Sequence, residues 1–171
     1  MKRELMLLRH GKSDWSSMVD DLHRPLKQRG RKAAARIGAW LRQQKKIPEQ
    51  IIASPAARAQ ETARIVAREL GIAEKMIRTE PAIYETHWSD LLRTVRGLPK
   101  KKNRIMLVGH NTSMEELLLY LADGRVRPAA NGKIMPTATL ALFSFQGPWK
   151  ALGPDSVCAT AVIRPRELAD L

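Results

Sequence analysis

Disulfide chemistry is excluded at the outset, because the 171-residue chain has a single cysteine, Cys158. A lone thiol closes no intramolecular bridge and fits a reducing, cytoplasmic setting. Long apolar runs are missing too. The apolar stretch after Lys2 and Arg3 ends at Arg9. That is short for a signal-peptide core, and no run approaches the ~20 residues of a membrane span. Aromatic side chains are scarce, at four Trp, two Tyr and two Phe, which gives base stacking little to work with. Acidic residues are outnumbered, with seventeen Asp and Glu against thirty Lys and Arg, for a net charge of +13. Such a field attracts anionic partners in general. The basic residues are nevertheless spread over prospective helix surfaces, and only PKKKNR (99–104) is a tight cluster, in a stretch that reads as a solvated turn. Neither nucleic acid nor membrane is expected as a partner, and the chain is expected to be a monomer.

What is present suits one domain over residues 1–171, with a core that buries about 70% of the unfolded surface and needs no metal or disulfide. Leu5–Leu8 reads as a buried strand, with Met6 in the core. Residues 24–46 follow as an amphipathic helix, in which Ala33, Ile37, Trp40 and Leu41 recur at three- and four-residue spacing. QIIAS predicts a short strand. SPAARAQETARIVARELG predicts a helix with Ser54 as N-cap, Pro55 at the first position and Gly71 at its end. TEPAIYE reads as a brief extended segment, and WSDLLRTVRGLP as a helix stopped by Pro99. RIMLVGHN is a strand, with Met106 and Leu107 in the core. TSMEELLLYLADG is a helix capped by Asn111 or Thr112, and TATLALFSF and CATAVI close the chain as strands. This order implies an α/β fold, a sandwich with a largely parallel central sheet.

Two strand exits echo each other. LMLL runs into Arg9-His10-Gly11 and IMLV into Gly109-His110-Asn111. Each places a His beyond the carboxyl end of a buried strand, the edge at which open α/β sheets bind ligands. QIIA ends at the same edge, and its helix carries Arg58 in the first turn, where free backbone N–H groups favour phosphate. The convergent set is two His, two Arg and a helix N-terminus, with hardly any carboxylate. Adjacent arginines do not suit a metal centre, and no metal is expected. No Asp in these motifs would orient a His as in a Ser-His-Asp triad. Cationic donors around an imidazole suit a phosphoryl group. Nearby arginines also disfavour imidazolium, so that one His stays neutral and nucleophilic near pH 7.

LLRHGKSDW, DLHRPLKQRGRKAA, SPAARAQETA, VGHN and PTATLALF together resemble the histidine phosphatase superfamily, and within it the short SixA-type phosphohistidine phosphatases. The resemblance runs from Leu5 to about Leu168. It implies a three-layer, phosphoglycerate mutase-like α/β/α fold and no cofactor. It also implies His10 as the nucleophile, with Arg9, Arg58 and His110 holding the phosphoryl oxygens. Gly11, Lys12 and Ser16 would line the mouth. In larger relatives a carboxylate protonates the leaving group, and Glu85 is the positional candidate here. An alkoxide leaving group needs such a proton, whereas imidazole, with a pKa near ~6.5, leaves already protonated. The expected substrate is therefore a phosphorylated protein bearing phosphohistidine, with a small anionic phosphate such as a sugar phosphate or nucleotide as the alternative. A phospho-binding module with little turnover, and a nucleic-acid binder sharing only the fold, are the readings from other classes. Other conspicuous side chains read as structural: His23 at a loop surface, Arg24 as a loop anchor, and His87-Trp88 at a helix start or the pocket entrance.

Overall fold

A computed structural model describes residues 1–169. Its six-stranded sheet has the order β3-β2-β4-β1-β5-β6, formed by β1 (Lys2–Arg9), β2 (Gln50–Ala53), β3 (Ile77–Thr79), β4 (Arg104–Gly109), β5 (Leu140–Gln146) and β6 (Val157–Ile163). β1 lies between β4, to which it is parallel, and β5, to which it is antiparallel. β2 is parallel to both β3 and β4, and β6 is antiparallel to β5. The sheet is thus mixed and mostly parallel, as the strand order in the sequence implies. β1 and β4 are buried along most of their length, so they read as unbroken apolar runs, as strands covered on both faces do.

Four helices cover the two faces: α1 (Gln28–Gln43), α2 (Ala57–Leu70), α3 (Trp88–Arg96) and α4 (Ser113–Leu121). Alternation along β1 sorts the core into two layers. Met6 and Leu8 pack with Ile37, Leu41 and Val66 of α1 and α2. Leu5 and Leu7 pack with Leu91, Val95 and Leu117 of α3 and α4. This is the α/β/α sandwich that the sequence predicts. Met106 and Leu107 divide the same way, one into each layer. Trp40 packs, partly buried, against the α1–α2 layer.

Several helix ends differ from the sequence reading. α2 begins at Ala57 with Ala56 as its N-cap, not at Ser54. Ser54 is fully buried, and its Oγ instead accepts the Ala56 N–H at 3.2 Å in a turn that redirects the chain from β2 into α2. Gly71 does end the helix, with φ +70°, a left-handed position that glycine takes without a side-chain penalty. α3 ends at Arg96, with Gly97 as its C-cap residue two positions before Pro99. TEPAIYE is not one extended piece, because Pro81–Ile83 form a single 3-10 turn after β3. α4 has Thr112 as its N-cap residue, without a side-chain hydrogen bond.

One seam bears directly on the site. A Cβ on Gly11 would lie 2.7 Å from the Gly30 carbonyl oxygen, and one on Gly30 would run into the Lys12 carbonyl. The Lys27 N–H donates to that same Lys12 oxygen at 2.8 Å. The loop leaving β1 and the first turn of α1 therefore meet backbone to backbone.

Candidate active site

The ends of β1, β2 and β4 bring the sequence candidates together at the carboxyl edge of the sheet. The rings of His10 and His110 lie 5.1 Å apart, centroid to centroid, at 58°. The loop after β1 is tied to α2 through Thr62. The Gly11 N–H donates to Thr62 Oγ1 at 3.0 Å, and that hydroxyl donates to the Arg58 carbonyl at 2.7 Å. One threonine thus fixes the level of the His10 loop relative to Arg58, one helical turn earlier.

His10 is buried, at 7% exposure, and its Nδ1–H donates to the Gly11 carbonyl at 2.7 Å. A carbonyl only accepts, so the proton sits on Nδ1 and the Nε2 lone pair is available. Burial, helped by His110, Arg58 and Arg9, lowers the pKa of His10 to about 3 against the pull of the Gly11 carbonyl. Burial is also the main cause lowering His110 to about 4; Arg58 adds to it and Asp21 opposes it. His110 Nε2 shares a 2.8 Å hydrogen bond with Ser54 Oγ, while its buried Nδ1 has no partner.

The two arginines approach from different elements. Arg9 donates from Nη1 to the Met135 carbonyl at 2.9 Å, and its Nε is buried without a partner. Arg58 is buried at 6% exposure and donates from Nη1 to the Asp21 carbonyl (2.6 Å) and from Nη2 to Asp21 Oδ2 (3.0 Å). The Tyr84 hydroxyl donates to the same carboxylate oxygen at 2.6 Å, and the Tyr84 ring meets His110 edge-on at 5.7 Å.

Asp21 is the group that sequence reasoning missed, and it corrects the expectation that hardly any carboxylate joins the cluster. The Tyr84 hydrogen bond first, and then Arg58 and Arg24, hold its carboxyl well below the ordinary carboxylate range. The same bond pushes the Tyr84 hydroxyl up to about 12. The DLHRPL loop gave a signal only as the start of the motif DLHRPLKQRGRKAA. Thirty-seven residues separate Asp21 from Arg58, and no spacing rule joins them.

The remaining candidates are less engaged. Glu85 is exposed, sits at φ +52°, and makes no hydrogen bond or ion pair among the described residues. Ser16 donates from Oγ to Asp14 Oδ1 in an exposed turn. Lys12 is half-buried at the mouth of a groove beside Arg9. Arg24 anchors its loop, pairing with Asp21 at 2.6 Å and lying 3.6 Å over the Trp15 ring. His23 bonds Asp20 on the surface, and His87 caps α3 by accepting the Ser89 N–H.

The neutral imidazoles carry a stability consequence. A His whose folded pKa lies below its unfolded value of ~6.5 takes up a proton on unfolding between the two. Its contribution is whole above the unfolded value and is lost progressively as the pH falls toward the folded one, about 4 for His110 and about 3 for His10. Chemical denaturation between pH 6.5 and 4.5 should therefore show stability falling with acidity, and the slope should be shallower by about one proton in His10→Ala. An unchanged slope in the variant would mean that His10 is not held neutral.

Comparison with known proteins gives concordant results. A model of the histidine phosphatase superfamily (branch 1) matches residues 5–94. An uncharacterised chloroplastic protein of Arabidopsis thaliana is 28% identical over 174 residues, spanning 91% of this chain and 80% of its own. The structure of a candidate phosphohistidine phosphatase SixA from Agrobacterium tumefaciens superposes with a TM-score of 0.74 at 28% identity, over 82% of this chain and 90% of that one. A second SixA candidate, from Nakamurella multipartitia, superposes with a TM-score of 0.79, over 96% and 97% of the two chains. At 24% identity the latter likeness is one of fold.

Proposed function

The chain belongs to the histidine phosphatase superfamily, and from that premise we propose that it hydrolyses phosphohistidine on a protein substrate through a covalent intermediate on His10. The observation that carries the reading is the His10 ring. Its Nδ1–H is committed to Gly11, and burial keeps it neutral. Nε2 would attack phosphorus as the bond to the leaving imidazole breaks, and Arg9, Arg58 and His110 would hold the phosphoryl oxygens. Water would then attack phospho-His10, returning the neutral ring and releasing inorganic phosphate.

The preference for phosphohistidine rests on what surrounds the nucleophile. Asp21 is held ionised and the Tyr84 hydroxyl is a very weak acid. Neither is a proton donor near neutral pH. Glu85 lies exposed and makes no hydrogen bond or ion pair among the described residues. A substrate whose leaving group needs no proton from the enzyme suits such a site.

Rapid acid-free quenching with a phosphohistidine peptide should trap acid-labile phosphate on the proteolytic fragment containing His10. Turnover of that peptide should exceed turnover of a sugar phosphate and a nucleotide. Label on another residue would overturn the mechanism, and preference for the sugar phosphate would overturn the substrate.

A further inference from the structure

Beside the catalytic edge runs a groove of about 610 Å³, of whose lining the chemistry proposed at His10 uses Arg9 alone. Three segments wall it: the first two turns of α1, the loop around residues 129–137 and the 3-10 turn after β6. Arg9 and Lys12 stand at the end nearest His10. Among the described residues, eight cationic side chains line the groove against one carboxylate, Glu167, and that carboxylate already pairs with Arg164 at 3.3 Å. Lys12, Arg29, Lys32, Lys133 and Arg166 enter no ion pair among the described residues. All but Lys12 are exposed. Their mutual repulsion registers at Lys12, where burial first and then Arg29, Lys27, Lys133 and Arg9 hold the ammonium below its usual range.

This arrangement differs from a solvated basic face. Elsewhere on the surface several cations have an acidic partner, as in the pairs of Arg64 with Glu74 and Arg93 with Asp90. In the groove, like charges face one another across a trough whose one acidic side chain among the described residues, Glu167, is already taken up by Arg164, and an anion entering it relieves that repulsion. The spacing bears on which anion. Arg29 and Lys32 lie one turn apart on α1, about 5 Å along the axis, with Lys133 and Arg166 on the other walls. Alternate residues of an extended peptide are about 6.6 Å apart, so a run of acidic side chains can meet successive cations. No aromatic side chain lines the groove, so it has no platform for a base.

We infer that this groove seats an acidic polypeptide segment flanking the phosphorylated residue of the protein substrate, an inference that rests on the protein-substrate reading above. The catalytic edge takes the phosphoryl group, and the trough takes the carboxylates beside it. Electrostatic capture of this kind raises the rate of encounter and weakens with salt.

The test is binding rather than turnover, so that it stands apart from the trapping experiment at His10. A fluorescent, unphosphorylated ten-residue peptide carrying six Asp and Glu residues is titrated against the full chain by anisotropy. A Ser-substituted peptide, a single-stranded oligonucleotide of equal charge and inorganic tripolyphosphate serve as competitors. The acidic peptide should bind at least tenfold more tightly than the Ser peptide, and more weakly at 0.5 M salt. Arg29→Glu/Lys32→Glu should weaken it by at least tenfold, with an unchanged circular dichroism spectrum and melting temperature. Lys101→Glu/Lys102→Glu, the same charge change in the loop before β4 at the opposite edge of the sheet, should leave it within twofold. Should the α1 pair prove unstable, Lys133→Glu in the facing loop provides the same reading. Equal binding of the two peptides, equal loss in the Lys101/Lys102 control, or displacement of the peptide by the oligonucleotide or tripolyphosphate at equal charge would each overturn the inference. If the peptide binds as expected while no phosphate is trapped on His10, the groove stands and the catalytic reading falls.

Discussion

Replacing His10 with Ala should lower turnover of an aryl phosphate by about 10⁴–10⁶-fold and abolish the trapped phosphoenzyme, a loss of the size seen when a covalent nucleophile is removed. The size follows from what the ring does. In the proposed mechanism its lone pair forms the bond to phosphorus, and among the described residues His110 is the one other imidazole beside it. His110, 5.1 Å away by ring centroid, is bonded through Nε2 to Ser54. His110→Ala should therefore cost less and should still accumulate phospho-His10, because the role proposed for that residue is to steady oxygens rather than to make the bond. Rapid-quench kinetics on both variants separates the two roles. Equal losses, with phosphoenzyme absent from both, would contradict the assignment of His10 as sole acceptor. Because His10 sits at the end of β1 and not within the apolar layers, Ala there leaves the sheet and both helix layers intact, and circular dichroism checks this.

Arg58→Ala should reduce kcat/KM by about 10²–10³-fold, the range for losing one preorganised donor to a developing oxyanion. The guanidinium is almost fully buried and held by both the backbone and the carboxylate of Asp21, so it is in position before substrate arrives. Arg58→Lys should recover only part of the loss, since an ammonium cannot offer two parallel N–H groups to one phosphoryl. Full recovery by Lys would show that charge alone matters there. The Ala variant also removes one of the two buried arginines that hold Asp21, leaving Arg24, so the DLHRPL loop should become more mobile. Hydrogen exchange at residues 20–24 reads that separately from the rate.

Much of this site was legible in the sequence because its parts sit at strand exits, which apolar runs mark clearly. Arg9, His10 and His110 follow two such runs, and Arg58 follows a third through one turn. Thr62 belonged to the quoted motif, although its bridging of Gly11 and Arg58 becomes evident only in three dimensions. Ser54 shows the limit of local rules. A Ser before Pro at a helix start reads as an N-cap, yet burial against β4 turned its hydroxyl toward His110, and a tertiary contact prevailed over a local preference. Asp21 and Tyr84 were beyond reach because the bonds they make span loops whose meeting is set by packing. The groove was equally hidden. Its walls come from residues near 30, 133 and 166, and +13 gave the sign of the charge but not where it gathers.

The backbone seam between Gly11 and Gly30 has a further consequence. It fastens the loop bearing His10, the proposed nucleophile, to the very turn of α1 that carries Arg29, leaving no slack between that ring and the near wall of the basic trough. Two such points at fixed separation act as a ruler. A protein substrate would then be chosen by the count of residues between its phosphorylated side chain and its acidic run, a selection by length as well as by charge.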